Sequence, residues 1–315
     1  MDFDLSEEQV MIRDSAERAV REYCELGRRR ERIARGQGFD PAFWEQFAQL
    51  GWIALAVPEE EGGLGGGMVD LALLMIELGR GASSEPIVSS TLACARLLAE
   101  AGWHGRADWI EGTMTGERRL ALALGEGDGL VLHNVAGGAV LHGACPMVFD
   151  GDGAQGYVVA ARDAVNGERV LALVAAGAAG LGLETYRLHD GSRAADLRFA
   201  GVALDDGAVI ARGEVGDELL GDALVAASLA CQAAAVGSME ACIELCSDYA
   251  ATRAQFGQPI GKFQAIQHML ADMLVASHNA RSVLYFALSR CDADRAARDA
   301  AAALASRAIG KAGLA

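Results

Sequence analysis

The hydrophobic period of this 315-residue chain changes twice along its length. Over residues 1–117 apolar side chains recur every three to four positions, which predicts amphipathic helices. Over 118–212 short apolar runs and a period of two predict strands, and over 213–315 the helical period returns. The sequence therefore predicts an α+β fold of three domains: N-terminal helices, a small central sheet, and a C-terminal bundle of long helices.

Two helix starts and one loop are marked in the first domain. Ser6–Gln9 has the capping-box pattern, in which the Ser and Gln side chains each accept a hydrogen bond from the other residue's backbone N–H. Asp40–Pro41 places an N-cap residue before a proline at the first helical position. The glycine-rich stretch 62–67 is predicted to be a loop. It does not resemble a phosphate-binding loop, because it follows the carboxylates Glu59–Glu61 rather than a strand.

One hairpin signal indicates how the strands of the central domain pair. The apolar runs 157–161 and 170–174 flank Asn166–Gly167, a pair typical of type I′ turns. The segment 195–199 alternates apolar and polar residues. We therefore expect the sheet to be antiparallel.

The last domain is predicted to contain three long helices. The first spans about Leu219–Arg253, and the last is alanine-rich and covers 295–315. The middle helix carries an apolar face made of Phe263, Ile266, Leu270 and Met273/Leu274. Such helices pack naturally as a bundle.

Charge and composition exclude several classes of function. The chain has 27 Lys+Arg against 43 Asp+Glu, a net charge of −16, so it lacks the basic surface that nucleic acids and anionic membranes require. Neither a run of 18 apolar residues nor a basic N-terminal leader is present, and we expect a cytoplasmic protein. The seven cysteines lack metal-site spacing, so Cys242 and Cys246 are predicted to be small apolar fillers, and no metal site is expected.

The segment 253–267 is the main candidate for a binding site. It places an arginine, an aromatic ring and several amides at a Gly–Pro corner between two helices. Arg253 is suited to a phosphate or carboxylate, and Phe256 offers a stacking face. A corner in which Arg253 is solvated and Phe256 lies in the core explains the same residues equally well.

The segment from Arg253 to Met273 resembles the C-terminal signature of acyl-CoA dehydrogenases, R-x-Q-F-G-x-P-I-x-x-F-Q-x-x-Q-x-x-L-A-D-M. Val57–Gly65 and Glu77–Gly81 look like two N-domain motifs of that family, and the helix–sheet–helix order is also the family's. The resemblance implies FAD-dependent α,β-desaturation of an acyl-CoA thioester, with an electron-transfer protein as acceptor. It also implies FAD shared across a subunit interface, with Arg253 on the pyrophosphate, Gln264 on the adenosine half and Phe256 packing nearby.

Two segments depart from the family pattern. Leu124–Gly129 stands where the family has a flavin loop of the form T-E-P-x-x-G-S-D. Gly143–Gly151 aligns with G-x-K-x-W-I-T-N-G, and Met147 and Phe149 replace its aromatic and hydroxyl residues. Both changes weaken the flavin pocket that the chain would form by itself.

No catalytic residue is assigned. Most of the family places its glutamate base in a loop that would follow Ala315, and the alternative site corresponds to Ala227, followed by Ser228. Glu240 and Glu244 are expected to form a solvated or interfacial helix face, and Glu126 is a loop carboxylate.

Three functional hypotheses remain open. The favoured one is a subunit of a heterotetramer that shares its flavin site with a more complete dehydrogenase subunit; similar shortened members often act on bulky acyl-CoA side chains. The second is a self-sufficient homo-oligomer with a displaced base, Glu126 or Glu240. The third is a binding or scaffolding protein that has lost the cofactor. If the natural chain continues past Ala315, the missing loop says nothing about the mechanism.

Overall fold

The structure is a computed structural model, and it describes residues 5–103, 108–125 and 129–314. Contacts divide the chain into two units. The first unit is helical and consists of Met1–Leu26, Gly67–Ser83 and Ser228–Ala315. The second unit contains the sheet and consists of Gly27–Gly66 and Ser84–Ala227. The division into domains 1–117, 118–212 and 213–315 stays a prediction.

The N-terminal third is helical, as predicted. Its helices are α1 (Glu7–Tyr23), α2 (Leu26–Ala34), α3 (Pro41–Gln49), α4 (Met68–Arg80), the π-helical stretch Ile87–Ala95, α5 (Arg96–Glu100) and α6 (Asp108–Met114). Both predicted helix starts are confirmed. Ser6 Oγ accepts from Gln9 N–H, and Gln9 Oε1 accepts from Ser6 N–H, each at 3.1 Å. Asp40 Oδ1 accepts from Ala42 N–H at 3.0 Å.

Eight strands form the sheet of the second unit. They are β1 (Leu120–Leu124), β2 (Leu130–Val135), β3 (Gly138–Phe149), β4 (Gly156–Asp163), β5 (Arg169–Ala175), β6 (Leu181–Arg187), β7 (Arg193–Leu204) and β8 (Val209–Arg212). The order is β6-β7-β3-β2-β4-β5-β8, with β1 paired to β4. The predicted β4–β5 hairpin is confirmed.

Two details of the predicted sheet are corrected. β1 and β2 both pair with β4 in parallel, so the sheet is mixed rather than antiparallel. A hairpin signal describes only strands adjacent in sequence, whereas β2 and β3 lie between β1 and β4, and β3 lies between β2 and β4. The hairpin turn is also not type I′, because only Gly167 has a positive φ (73°). The two strands are joined instead by a loop longer than a two-residue turn, in which the Asp163 carboxylate accepts from Val165 N–H at 2.9 Å.

The apolar runs of β4 and β5 are continuous because both faces of these strands are buried. Val159 and Val170 pack in a cluster made of sheet residues. Val158 and Leu171 pack in a second cluster with α5, α6 and the first turns of the following long helix. Strands covered on both sides lose the alternation that half-exposed strands show.

The C-terminal helices match the three that the sequence predicts. They are α7 (Gly213–Thr252), α8 (Gln264–Leu288) and α9 (Arg295–Ala312), with the two-residue strands β9 (Ala254–Gln255) and β10 (Gln258–Pro259) between the first two. α7 begins six residues before the predicted start. By length and composition α7 alone among the described helices could cross a membrane, and 44% of its most apolar window is buried in the structure.

A close crossing of α4 and α7 explains Gly79 of the Glu77–Gly81 motif. A Cβ added to Gly79 would lie 2.0 Å from Ala234 O, and one added to Gly237 would lie 1.9 Å from Ile76 O. Ser238 Oγ donates to Gly79 O at 2.8 Å across the crossing. The two helices therefore touch backbone to backbone, which only glycine permits.

The cysteines of α7 are not the apolar fillers that the sequence predicts. Cys242 and Cys246 are both exposed. A helical spacing of four residues reports only that two side chains share a face, and here that face is uncovered. Among the residues that the structure describes, no three metal-ligating side chains lie together.

Candidate functional site

A tight hairpin forms the corner between α7 and α8. β9 and β10 pair Gln255 with Gln258, and the two residues at the tip, Phe256 and Gly257, have φ of 55° and 80°. Ile260 N–H donates to Arg253 O at 2.8 Å and closes the loop. A positive φ is costly for a phenylalanine, so the surrounding hydrogen bonds hold the backbone of Phe256 in a strained conformation.

The side chains of the corner point to solvent. The Phe256 ring is 92% exposed and makes an edge contact with Phe263 at 6.2 Å between centroids. Arg253 and Gln264 are exposed, and within the described residues neither side chain has a hydrogen-bond or ion-pair partner. The reading in which Phe256 belongs to the core is therefore wrong for this structure.

This donor set fits the nucleotide half of FAD. A free guanidinium suits a pyrophosphate, a free amide suits the edge of an adenine, and an exposed ring offers a flat apolar surface. Arg253, Gln264 and Phe256 are thus the residues that would hold the group in the first unit. When bound, FAD supplies the hydride acceptor for oxidation of a CH–CH bond.

The flavin-facing segment predicted in the second unit lies in a bulge of β3. The pairing of β3 with β7 shifts register between Cys145 and Val148, and Met147 has a φ of 52°. Met147 and Phe149 are 53% and 56% exposed, whereas Val148 between them is buried. Two large apolar side chains therefore project from one anchored turn.

Asp196 on β7 anchors that bulge. Its Oδ1 accepts from Met147 N–H at 2.9 Å and from Tyr186 O–H at 2.8 Å. These two hydrogen bonds lower the pKa of the Asp196 carboxyl, with the backbone bond of Met147 as the larger cause. The Met147 N–H is consequently occupied and Phe149 carries no polar group, so these two residues fit apolar contact and not the polar edge of a flavin ring.

Asp150 follows the bulge, and its carboxyl is strongly perturbed. Its φ is 55°, and Ser89 Oγ donates to its Oδ2 at 2.5 Å. Burial raises the pKa of Asp150 to about 6, although the Ser89 hydrogen bond opposes the shift. Sequence reasoning missed this group. The signal was an aspartate where the family pattern has the asparagine of T-N-G.

A small cavity borders Asp150 in the same unit. Its volume is about 220 Å³, and Arg119, Asp152 and Arg193 line it. Arg193 Nε lies 2.5 Å from Asp152 Oδ2, and the Arg119 guanidinium stacks on the Phe39 ring at 4.3 Å. Arg193 and Asp152 thus pair with each other and Arg119 packs on a ring, which favours a structural role for these side chains over ligand binding.

The candidate bases are engaged or lie outside the described residues. Glu240 is bound by Arg281 at 2.7 Å and Arg80 at 3.6 Å, and Glu244 by Arg80 at 2.6 Å. These ion pairs join neighbouring helices. Glu240 and Glu244 are therefore structural residues and poor candidates for the catalytic base. Glu126 lies outside the described residues, as do its neighbours 127–128 in the predicted flavin loop.

Comparisons with known proteins identify the family of the chain. The acyl-CoA dehydrogenase N-terminal domain matches residues 6–117, and the acyl-CoA dehydrogenase C-terminal domain matches residues 218–309. The fold and these matches define an FAD-dependent oxidoreductase that acts on CH–CH bonds. The chain belongs to the acyl-CoA dehydrogenase family.

Individual relatives cover most of the chain. It is 31% identical over 286 residues to the acyl-CoA dehydrogenase IpdE2 of Mycobacterium tuberculosis, covering 88% of this chain and 74% of the relative. It is 30% identical over 281 residues to the mitochondrial isovaleryl-CoA dehydrogenase of Solanum tuberosum, covering 83% and 68%.

Solved structures share the whole fold. The ChsE4–ChsE5 complex from Mycobacterium tuberculosis matches with a TM-score of 0.89 and 26% identity, covering 100% of this chain and 85% of that chain. A variant of the Tcur3481–Tcur3483 steroid ACAD matches with a TM-score of 0.86 and 29% identity, covering 98% and 84%.

Proposed function

We propose that the chain is the incomplete subunit of a heteromeric acyl-CoA dehydrogenase. It lends Arg253 and Gln264 to FAD held mainly by a more complete partner, and the partner supplies the base and the polar contacts of the flavin ring. The acyl group is bulky, the complex is a heterotetramer in the cytoplasm, and an electron-transfer protein reoxidises the flavin.

The observation that carries the proposal is the contrast between the corner in the first unit and the β3 bulge in the second, each taken by itself. The corner presents an arginine and an amide that lack partners among the described residues. The β3 bulge presents apolar side chains and an N–H already bound to Asp196. The corner therefore offers unpaired polar groups to a cofactor, whereas the Met147 N–H of the bulge is already paired.

Two solved relatives support the heteromeric subunit composition and the substrate class that we propose. The ChsE4–ChsE5 structure is a complex of two named chains, and the Tcur3481–Tcur3483 protein is described as a steroid ACAD. We extend both properties to this chain, which makes fused-ring acyl-CoA thioesters the substrates to test first.

The test compares two arginine variants in the co-purified complex. Arg253→Ala removes a charge-assisted contact worth about 1.5–3 kcal/mol, so the Kd for FAD should rise about 10- to 100-fold. Arg307→Ala, an exposed arginine on α9, is the matched control and should leave the Kd unchanged. Equal FAD affinity in both variants would contradict the assigned role of Arg253. A complex that never contains flavin would favour the scaffold hypothesis.

A further inference from the structure

Two histidines lie side by side on the outer face of the sheet in the second unit. His133 on β2 and His142 on β3 are both exposed, and each directly follows a buried leucine of its own strand. Their rings are 5.7 Å apart between centroids, at an interplanar angle of 81°. The outward face of the sheet therefore brings two imidazoles into contact.

The register of the β2–β3 hairpin explains this contact. His142 pairs with Val131 in the ladder. His133 pairs with Val140, so the two histidines form a diagonal pair on one face. Diagonal neighbours of an antiparallel pair lie within reach of aromatic and long side chains. The distance between the two imidazoles is consequently set by a backbone that strand pairing holds in place.

A bulge in β7 keeps the space beside His142 open. Leu141 of β3 pairs with Val202 of β7, and the next residue, His142, pairs with Ala200, so Gly201 is an extra residue on β7. Gly201 has a φ of 78°, and a Cβ added there would lie 3.4 Å from Cε1 and 3.9 Å from Nε2 of His142. A larger side chain would cover this edge of the ring, whereas the glycine leaves Nε2 accessible.

The ring nitrogens of both histidines are available to a ligand. Within the described part of the chain neither imidazole has a hydrogen bond or an ion pair. Arg162 on β4 donates to Gly167 O at 3.3 Å, and Arg198 on β7 interacts with the Asp196 carboxylate. These two cations are thus directed to other groups, in a chain whose net charge of −16 attracts cations.

Two neutral imidazoles are a donor set for late first-row divalent metals. Imidazole nitrogen suits Zn²⁺, Cu²⁺ and Ni²⁺, and a given set of such ligands binds Cu²⁺ most tightly. Each metal–nitrogen bond is about 2 Å long, so two imidazoles that share a metal bring their nitrogens to within about 4 Å. Nitrogens on the facing edges of rings whose centroids are 5.7 Å apart reach this distance by side-chain rotation alone.

We propose that His133 and His142 form a two-imidazole site for a divalent transition metal, with Cu²⁺ as the tightest ligand and Ni²⁺ and Zn²⁺ as weaker ones. Both rings are exposed, so the remaining coordination positions face solvent and take water or a donor atom of another molecule. The spacing of the histidines along the sequence did not indicate this site, because its two ligands lie on different strands. The site lies wholly in the second unit and does not depend on the proposed function.

The experiment titrates the tag-free chain with Cu²⁺ by isothermal calorimetry. The exposed thiols of α7 are first blocked with N-ethylmaleimide, because thiolates compete for copper. Wild type should bind one Cu²⁺ per chain, and pulsed electron paramagnetic resonance should show two coordinated imidazoles. His133→Ala and His142→Ala should each raise the Kd for Cu²⁺ about 100-fold, since two linked donors strengthen binding by about 10²–10⁴ over one. His189→Ala, which removes an exposed histidine between β6 and β7, is the matched control and should bind like wild type.

Several results would overturn the proposal. They are no Cu²⁺ binding by wild type, fewer than two coordinated imidazoles in its resonance spectrum, and wild-type affinity in either His133→Ala or His142→Ala. Light scattering with and without Cu²⁺ adds a test of stoichiometry. A constant mass supports a site within one chain, whereas a mass that doubles with one metal per two chains would overturn it. Circular dichroism melts without metal confirm that the variants fold like wild type.

Discussion

Replacing Asp150 by asparagine should stabilise the sheet unit at neutral pH. The folded-state pKa of Asp150 is about 6, against 3.8 for an unperturbed carboxyl. Folding therefore favours the protonated form, and stability is lost as pH rises from about 4 to 6 because the unfolded chain ionises first. The difference of about 2.2 units corresponds to about 3 kcal/mol of destabilisation above pH 7.

Asparagine keeps the favourable features of the site and removes the charge. Its amide oxygen still accepts from Ser89 Oγ, and asparagine tolerates the positive φ at this position better than most residues. The variant should therefore be more stable than wild type by about 3 kcal/mol at pH 8, with the difference shrinking toward zero near pH 4.

Urea unfolding followed by tryptophan fluorescence measures this effect directly. All four tryptophans, Trp44, Trp52, Trp103 and Trp109, lie in the same unit as Asp150. Asp152→Asn is the control, because it removes the ion pair with Arg193 and should not stabilise. Equal stabilities of wild type and Asp150→Asn from pH 5 to 8, or a less stable variant at pH 8, would refute the reasoning.

Two further substitutions test the scaffold around the site. Gly79→Ala should destabilise the helical unit by about 3 kcal/mol or more in thermal melts, because the added Cβ would lie 2.0 Å from the carbonyl oxygen of Ala234. The control is Gly310→Ala, where the added Cβ meets open space, so that this variant should be neutral or stabilising. Asp196→Ala should speed hydrogen exchange at the Met147 amide about tenfold, while Glu184→Ala, which removes a neighbouring charge, should not. Unchanged melts for the first, or unchanged exchange for the second, would contradict the corresponding contacts.

The sequence predicted local structure well because local signals determine it. The caps at Ser6 and Asp40, the β4–β5 hairpin and the long C-terminal helices follow from residues that contact their own sequence neighbours. The parallel pairing of β1 and β2 with β4 could not be predicted this way. It depends on long-range contacts that no short window records.

The site was predicted in part for the same reason. The roles of Arg253, Phe256 and Gln264 at the corner stay a prediction. Helical spacing could not show which face of α7 stays exposed, so Cys242 and Cys246 were misassigned. The role of Asp196 was invisible, because its partners Met147 and Tyr186 lie on other strands. The raised pKa of Asp150 likewise depends on burial that the fold alone creates.

The visible absorption spectrum of the purified chain, alone and after co-expression with a full-length dehydrogenase subunit, tests the central claim most directly. The account predicts flavin bands only in the co-purified complex, because this chain offers the nucleotide corner and not the polar surroundings of the ring. Stoichiometric flavin in the isolated chain, together with turnover of an acyl-CoA, would contradict the account.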